Sequence, residues 1–186
     1  KSHKSMEVEN EHHFDLEGQK LLKQRKFSQA QQYYDRIINL DPQNATYHLS
    51  KATALLGSYQ YKEALKSIQN SHQLKPPTSL TLVLKATGLR RMHLYEESVR
   101  CCDKALELDD GCYLAYRNKG LAYETLRQEG KALECYDRAL EIKWDDVVSL
   151  VGKAVVIRGL GRPETEVAKY LHQALQYCDD CLRRDP

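Results

Sequence analysis

Apolar positions in this chain recur at three- and four-residue spacings over short stretches, each closed by a turn. Within residues 11–44, Phe14, Gly18, Leu21 and Leu22 line one stretch, and Ala30, Tyr33, Tyr34, Ile37, Ile38 and Leu40 line the next. That is the period of an amphipathic helix, so the segment predicts two helices, A and then B. The pattern returns every 34 residues: Gly18, Ala52, Ala86 and Gly120 form one column, Ala30, Ala64, Ser98 and Ala132 a second, and Tyr34, Ile68, Cys102 and Tyr136 a third. The repeats close on Asp41-Pro42, Lys75-Pro76-Pro77, Asp109-Asp110-Gly111 and Trp144-Asp145-Asp146. A period of this length with a helix-breaking turn in each unit is the signature of stacked helical hairpins. The small-residue columns have a packing reason: they let two helices approach closely while larger apolar groups fill the space around them.

The run Gly18, Leu21, Ala30, Tyr34 and Pro42, echoed by Tyr116, Gly120, Tyr123, Ala132, Tyr136 and Ala139, resembles the tetratricopeptide repeat. The resemblance extends from Glu11 to Cys181. It implies an all-α, right-handed α-solenoid of about five helix-turn-helix hairpins, with units at 11–44, 45–78, 79–112, 113–146 and 147–181. The third unit departs most, with Leu82 and Cys102 at the aromatic places and Asp110 in place of the closing proline. The fifth begins at Val147 and carries Ala154 and Ala174, while Gly159, Gly161 and Pro163 point to about one inserted residue between its helices. Residues 1–10, polar and out of register, read as a linker or expression remnant, and residues 182–186 as a truncated tail.

With 186 residues and an unbroken period, one continuous array is expected. The charged fraction is 29% but the formal net charge is only +2, so no strong global field draws nucleic acid or an anionic membrane. Arg90-Arg91 and Arg183-Arg184 are too few, and too far from exposed aromatics, to change that. No apolar stretch reaches membrane-spanning length and no signal peptide opens the chain, so a cytoplasmic or nuclear protein is expected. The Asn44-Ala45-Thr46 sequon then reads as an ordinary helix start.

Candidate chemistry is sparse. Gly111, Gly120 and Gly130 are too widely spaced to cradle a phosphate, and His12 and His13 point to different sides of a helix. Cys178 and Cys181 form a lone C-x-x-C without a second ligand pair, and Cys101, Cys102, Cys112 and Cys135 read as reduced fillers. The chain is therefore expected to be no enzyme and to carry no metal or cofactor.

What remains is surface, and here the resemblance supplies the register. In tetratricopeptide arrays the A helices line the concave face. The groove residues this implies are Leu49, Thr53 and Leu56, then Leu80, Val83, Thr87, Arg90 and Arg91, then Leu114, Arg117, Leu121 and Glu124, and finally Val148, Val151, Val155 and Arg158. Leucines and valines with interspersed arginines suit a protein or peptide ligand of acidic-apolar character. The resemblance thus implies a non-catalytic interaction scaffold, with a co-chaperone or trafficking adaptor of unfamiliar recognition code as the alternative. The clamp by which such co-chaperones grip acidic tails is missing, since its places hold Asp15, Gln19, Ser50, Leu80 and Leu84. The asparagine ladder of sugar-transferring relatives fails as well, reading Leu16, Ser50, Leu84, Asn118 and Gly152. Terminal repeats need polar caps, and with Val167, Leu171 and Leu175 near the end of the chain, self-association through a terminal repeat is also expected.

Overall fold

A computed structural model of the chain describes residues 15–184 and, among them, ten helices and no strand. Helix α1 covers 15–23. It is followed by α2 (Phe27–Leu40), α3 (Ala45–Gly57), α4 (Tyr61–Leu74), α5 (Ser79–Arg91), α6 (Tyr95–Leu108), α7 (Tyr113–Thr125), α8 (Glu129–Ile142), α9 (Val147–Gly159) and α10 (Glu164–Arg184). The A helices α3, α5, α7 and α9 start at Ala45, Ser79, Tyr113 and Val147. The linker assigned to residues 1–10, the opening of the first unit at 11–14, and residues 185 and 186 of the expected tail lie outside the described residues. Residues 182–184 continue α10.

The chain divides into two compact units, up to Pro77 and from Thr78. The boundary follows Pro76-Pro77, two residues with no amide hydrogen to extend a helix. In the first unit α2 packs on α3 and α3 on α4; in the second each helix from α5 to α9 packs on its successor, and the A helices α5, α7 and α9 also touch in sequence.

The columns read from the sequence are the core. Ala30, Ala64, Ser98 and Ala132 are fully buried, as are Tyr34, Ile68, Cys102 and Tyr136. Ser98 tolerates its place because its hydroxyl donates a 2.8 Å hydrogen bond to the carbonyl of Ala86. In the fifth unit Val167 takes the small-residue place one position late. The shift has a visible cause: the turn at 160–163 is four residues long, whereas those at 24–26, 58–60, 92–94 and 126–128 have three.

Each of these turns holds one residue in the left-handed region: Arg25, Tyr59, His93, Arg127 and Gly161, with φ between 57° and 70°. At this place the chain closes the A helix, as where Tyr59 N donates to Leu56 O and Gln60 N to Leu55 O. Four of the five carry a side chain there and accept the strain that glycine would avoid. Side chains begin three A helices: Asn44 caps α3, Thr78 and Thr81 form a reciprocal box on α5, and Asp146 caps α9.

Candidate functional site

The face built by α5, α7 and α9 in the second unit gathers most of the residues that the repeat register singled out. On α9, Val148, Val151 and Val155 lie on one helical face and are 42%, 39% and 47% exposed, while Leu150, Ala154, Val156 and Ile157 on the other sides are buried. On α5, Leu80 is 63% exposed. Val83 differs: it is buried in a cluster with Ala86, Cys102 and Cys112. Leu114 packs on that cluster, and Leu121 packs on Ala132, Tyr136 and Val156, so both are half-buried. In the first unit Leu49 and Leu56 are half-buried on α3, and Thr53 is exposed with its hydroxyl donating to Leu49 O at 3.0 Å.

The arginines divide into two kinds. Arg117 Nη1 donates to Asp146 Oδ1 at 3.0 Å, and the other oxygen of that buried carboxylate accepts from Ser149 N at 3.0 Å and Ser149 Oγ at 2.6 Å. One carboxylate therefore caps α9 and anchors α7, and the Arg117 charge is spent inside the fold. Arg158 is exposed and pairs with Glu164 at 3.2 Å. Arg91 is exposed and has no ion pair among the described residues. Arg90 is half-buried and its Nε has no hydrogen-bond partner among them. Loss of water, and then the neighbouring Arg91 charge, depress its pKa from the ordinary value, so an anion brought to this spot would be favoured.

Around these arginines the polar groups are already committed. Thr87 Oγ1 lies 3.0 Å from Val83 O and 3.2 Å from Asn118 Oδ1, and Asn118 Nδ2 donates to Leu114 O at 2.9 Å. The Tyr136 hydroxyl donates to Glu124 Oε2 at 2.6 Å; burial first, and this hydrogen bond second, hold its pKa above the usual range. Glu124 therefore also turns inward. At the places of the co-chaperone clamp, Gln19 donates to Ser50 at 3.1 Å.

Two features went unread in the sequence. Lys51, Lys85, Lys119 and Lys153 form another 34-residue column. Three of them reach back to the preceding B helix, as Lys51 to Asp35, Lys119 to Asp103 and Lys153 to Asp137. Lys51 lines a cleft of about 380 Å³ in the first unit, and Lys153 one of about 400 Å³ in the second. Their charges are thereby used in stapling consecutive hairpins rather than in recognition. The left-handed turn column was the other, invisible because four of its residues are not glycine. Of the cysteines, Cys102, Cys112 and Cys135 are buried, Cys101 is half-buried, and Cys178 and Cys181 are exposed on α10. None of the described helices is long and apolar enough to cross a membrane.

A family model described as Tetratricopeptide repeat matches residues 16–76 and 83–147. No curated protein matches the chain. Among solved structures, a MamA fragment from Desulfovibrio magneticus RS-1 is 15% identical and superposes with a TM-score of 0.72, over 90% of this chain and 94% of its own. PilW, described as a widely conserved type IV pilus biogenesis factor, is 20% identical at a TM-score of 0.77, over 87% of this chain and 74% of its own. YrrB, described as a TPR protein with an unusual peptide-binding site, is 16% identical at 0.62, over 88% and 84%. At such identities the likeness shows the fold alone.

Proposed function

The chain belongs to the tetratricopeptide repeat family, and on that premise we propose that it is a non-catalytic scaffold whose α5–α7–α9 face holds a segment of a partner protein. One observation carries the reading: the row Val148, Val151 and Val155, open to solvent on a helix whose Leu150, Ala154, Val156 and Ile157 are buried. Three adjacent valines on one face hold no charge of their own, and a contiguous apolar surface of this kind marks an interaction site. The peptide-binding site for which YrrB is described supports a peptide as the class of ligand.

Arg90 and Arg91 give the segment its sign. Because Arg117 and Arg158 already answer carboxylates of this chain, an acidic group of the partner meets Arg90 and Arg91 in preference. The ligand is therefore an acidic-apolar segment, its apolar side chains on the valine row and a carboxylate near the end of α5. A fluorescence-anisotropy titration tests this with labelled amphipathic peptides that differ only in carrying Glu or Lys on the polar face. Glu peptides bind more tightly, Val151→Asp weakens all of them, and Arg90→Glu removes the Glu preference, each by about tenfold or more. Equal binding of both peptide kinds, or affinities untouched by both substitutions, contradicts the reading.

A further inference from the structure

The last helix carries a second surface, separate from the α5–α7–α9 face. Helix α10 is 21 residues long, where α2, α4, α6 and α8 have 14. Val167 and Ala174 bury one side of it in the fold. Centred about 70° around the helix from that side, at roughly 100° per residue, run Ala168, Leu171, Leu175, Cys178 and Leu182. Their spacings of three, four, three and four are those of a heptad seam. Leu175 is 63% and Leu182 72% exposed, Ala168 and Cys178 are also exposed, and Leu171 is half-buried. Such a seam is complementary to another helix with the same spacing.

Polar complementarity selects the occupant and its direction. His172 and Asp179 flank the seam on its solvent side, both exposed. They stand seven residues apart on one rigid helix, about 10 Å along its axis at 1.5 Å per residue, and cannot pair with each other. When a second α10 runs antiparallel, Leu171 meets Leu182 of the second copy and Leu175 meets Cys178 of the second copy. That same register sets His172 against Asp179 of the second copy, once at each end. A parallel arrangement sets Asp179 beside Ala174 and His172 beside Val167, with no polar partner for either. We propose that a second copy of this chain docks antiparallel on the α10 seam.

A seam of this length is small for a protein interface, so the dimer forms at micromolar concentrations. Sedimentation velocity in reducing buffer, over about 1–500 μM to span that range, reads it directly. The wild-type chain passes from monomer to dimer. Leu175→Glu and Leu182→Glu, both at exposed places and checked for retained helicity by circular dichroism, each raise the dimer dissociation constant at least about tenfold. Asp179→Lys weakens the dimer, and His172→Asp combined with Asp179→Lys restores it, because the two introduced charges meet only between copies. A chain monomeric throughout overturns the proposal and leaves the seam to a different helix. A dimer indifferent to both glutamates overturns the surface, and a double variant no tighter than Asp179→Lys overturns the antiparallel register.

Discussion

Replacing Gly152 by alanine should destabilise the second unit, although alanine is the better helix former. The Tyr136 ring is fully buried beside both Gly120 of α7 and Gly152 of α9. A Cβ on Gly152 would stand 2.4 Å from the ring Cζ and 2.6 Å from Oη, and one on Gly120 would stand 2.6 Å from Cε1. These distances are far inside van der Waals contact, so the ring would have to move. It has little freedom to do so, because Gly120 packs against it as well and its hydroxyl is tied at 2.6 Å to Glu124. The helix-propensity gain is about 1 kcal/mol. Against it stand about 1–3 kcal/mol for overpacking and about 1.5–3 kcal/mol for a disturbed hydrogen bond to a charged group. The net loss is about 1.5–5 kcal/mol, a fall in Tm of about 3–20 °C for a chain of this size. Gly130→Ala supplies the control, since its Cβ meets nothing within 4 Å. That variant should gain about 0.5–1 kcal/mol. Thermal unfolding followed by circular dichroism compares the two. If Gly152→Ala melts at or above the wild-type temperature, the Tyr136 ring is free to move aside and is not confined between the two helices.

The doubly used carboxylate of Asp146 makes Asp146→Ala cost about 1–3 kcal/mol in urea unfolding, through the lost cap and the orphaned Arg117; Arg117→Ala, which leaves the cap in place, should cost less, and the reverse order would refute the assignment. Burial pushes the Cys102 thiol up to about 12 and the Cys135 thiol up to about 11. Both folded values lie above the unfolded one, so this stability is complete below pH of about 8.5 and is lost as pH rises toward the folded values. Tm should therefore fall from about pH 9 upward, with a contribution of at most about 1.4 kcal/mol per pH unit from each thiol, and Cys102→Ala should flatten the slope. A slope identical in Cys102→Ala would contradict the burial argument. Under native conditions Cys178 and Cys181 should react promptly with a thiol reagent while Cys102, Cys112 and Cys135 wait for unfolding. Labelled peptides identified by mass spectrometry settle which thiols reacted.

The architecture was legible because the periodic columns are themselves the packing. Gly18 and Gly120 are small where Tyr34 and Tyr136 press on them, and the one-residue slip in the fifth unit was visible in Gly159, Gly161 and Pro163. The site was legible only as a set of helix faces. Register assigned Arg117 to the same face as Arg90, but it could not say that Asp146, 29 residues on, would claim the guanidinium. Nor could it show that Val83 sinks into the core while Val151, at the same place two units later, stays open. A column position fixes the direction of a Cβ, whereas exposure depends on the length of the neighbours, here Leu82, Cys102 and Cys112 around Val83. The left-handed turn residues Arg25, Tyr59, His93 and Arg127 escaped for a related reason: the backbone bends there because hairpin packing demands it, against the local preference of those side chains.

The central claim is that the α5–α7–α9 face is the binding surface. Hydrogen–deuterium exchange, measured with and without the tightest acidic amphipathic peptide of the anisotropy panel, tests it most directly. Protection should concentrate on α5 near Arg90 and on α9 around Val148, Val151 and Val155, with α6 and α8 unchanged. Protection confined to α6, α8 or α10, with α5 and α9 exchanging as in the free chain, would contradict it.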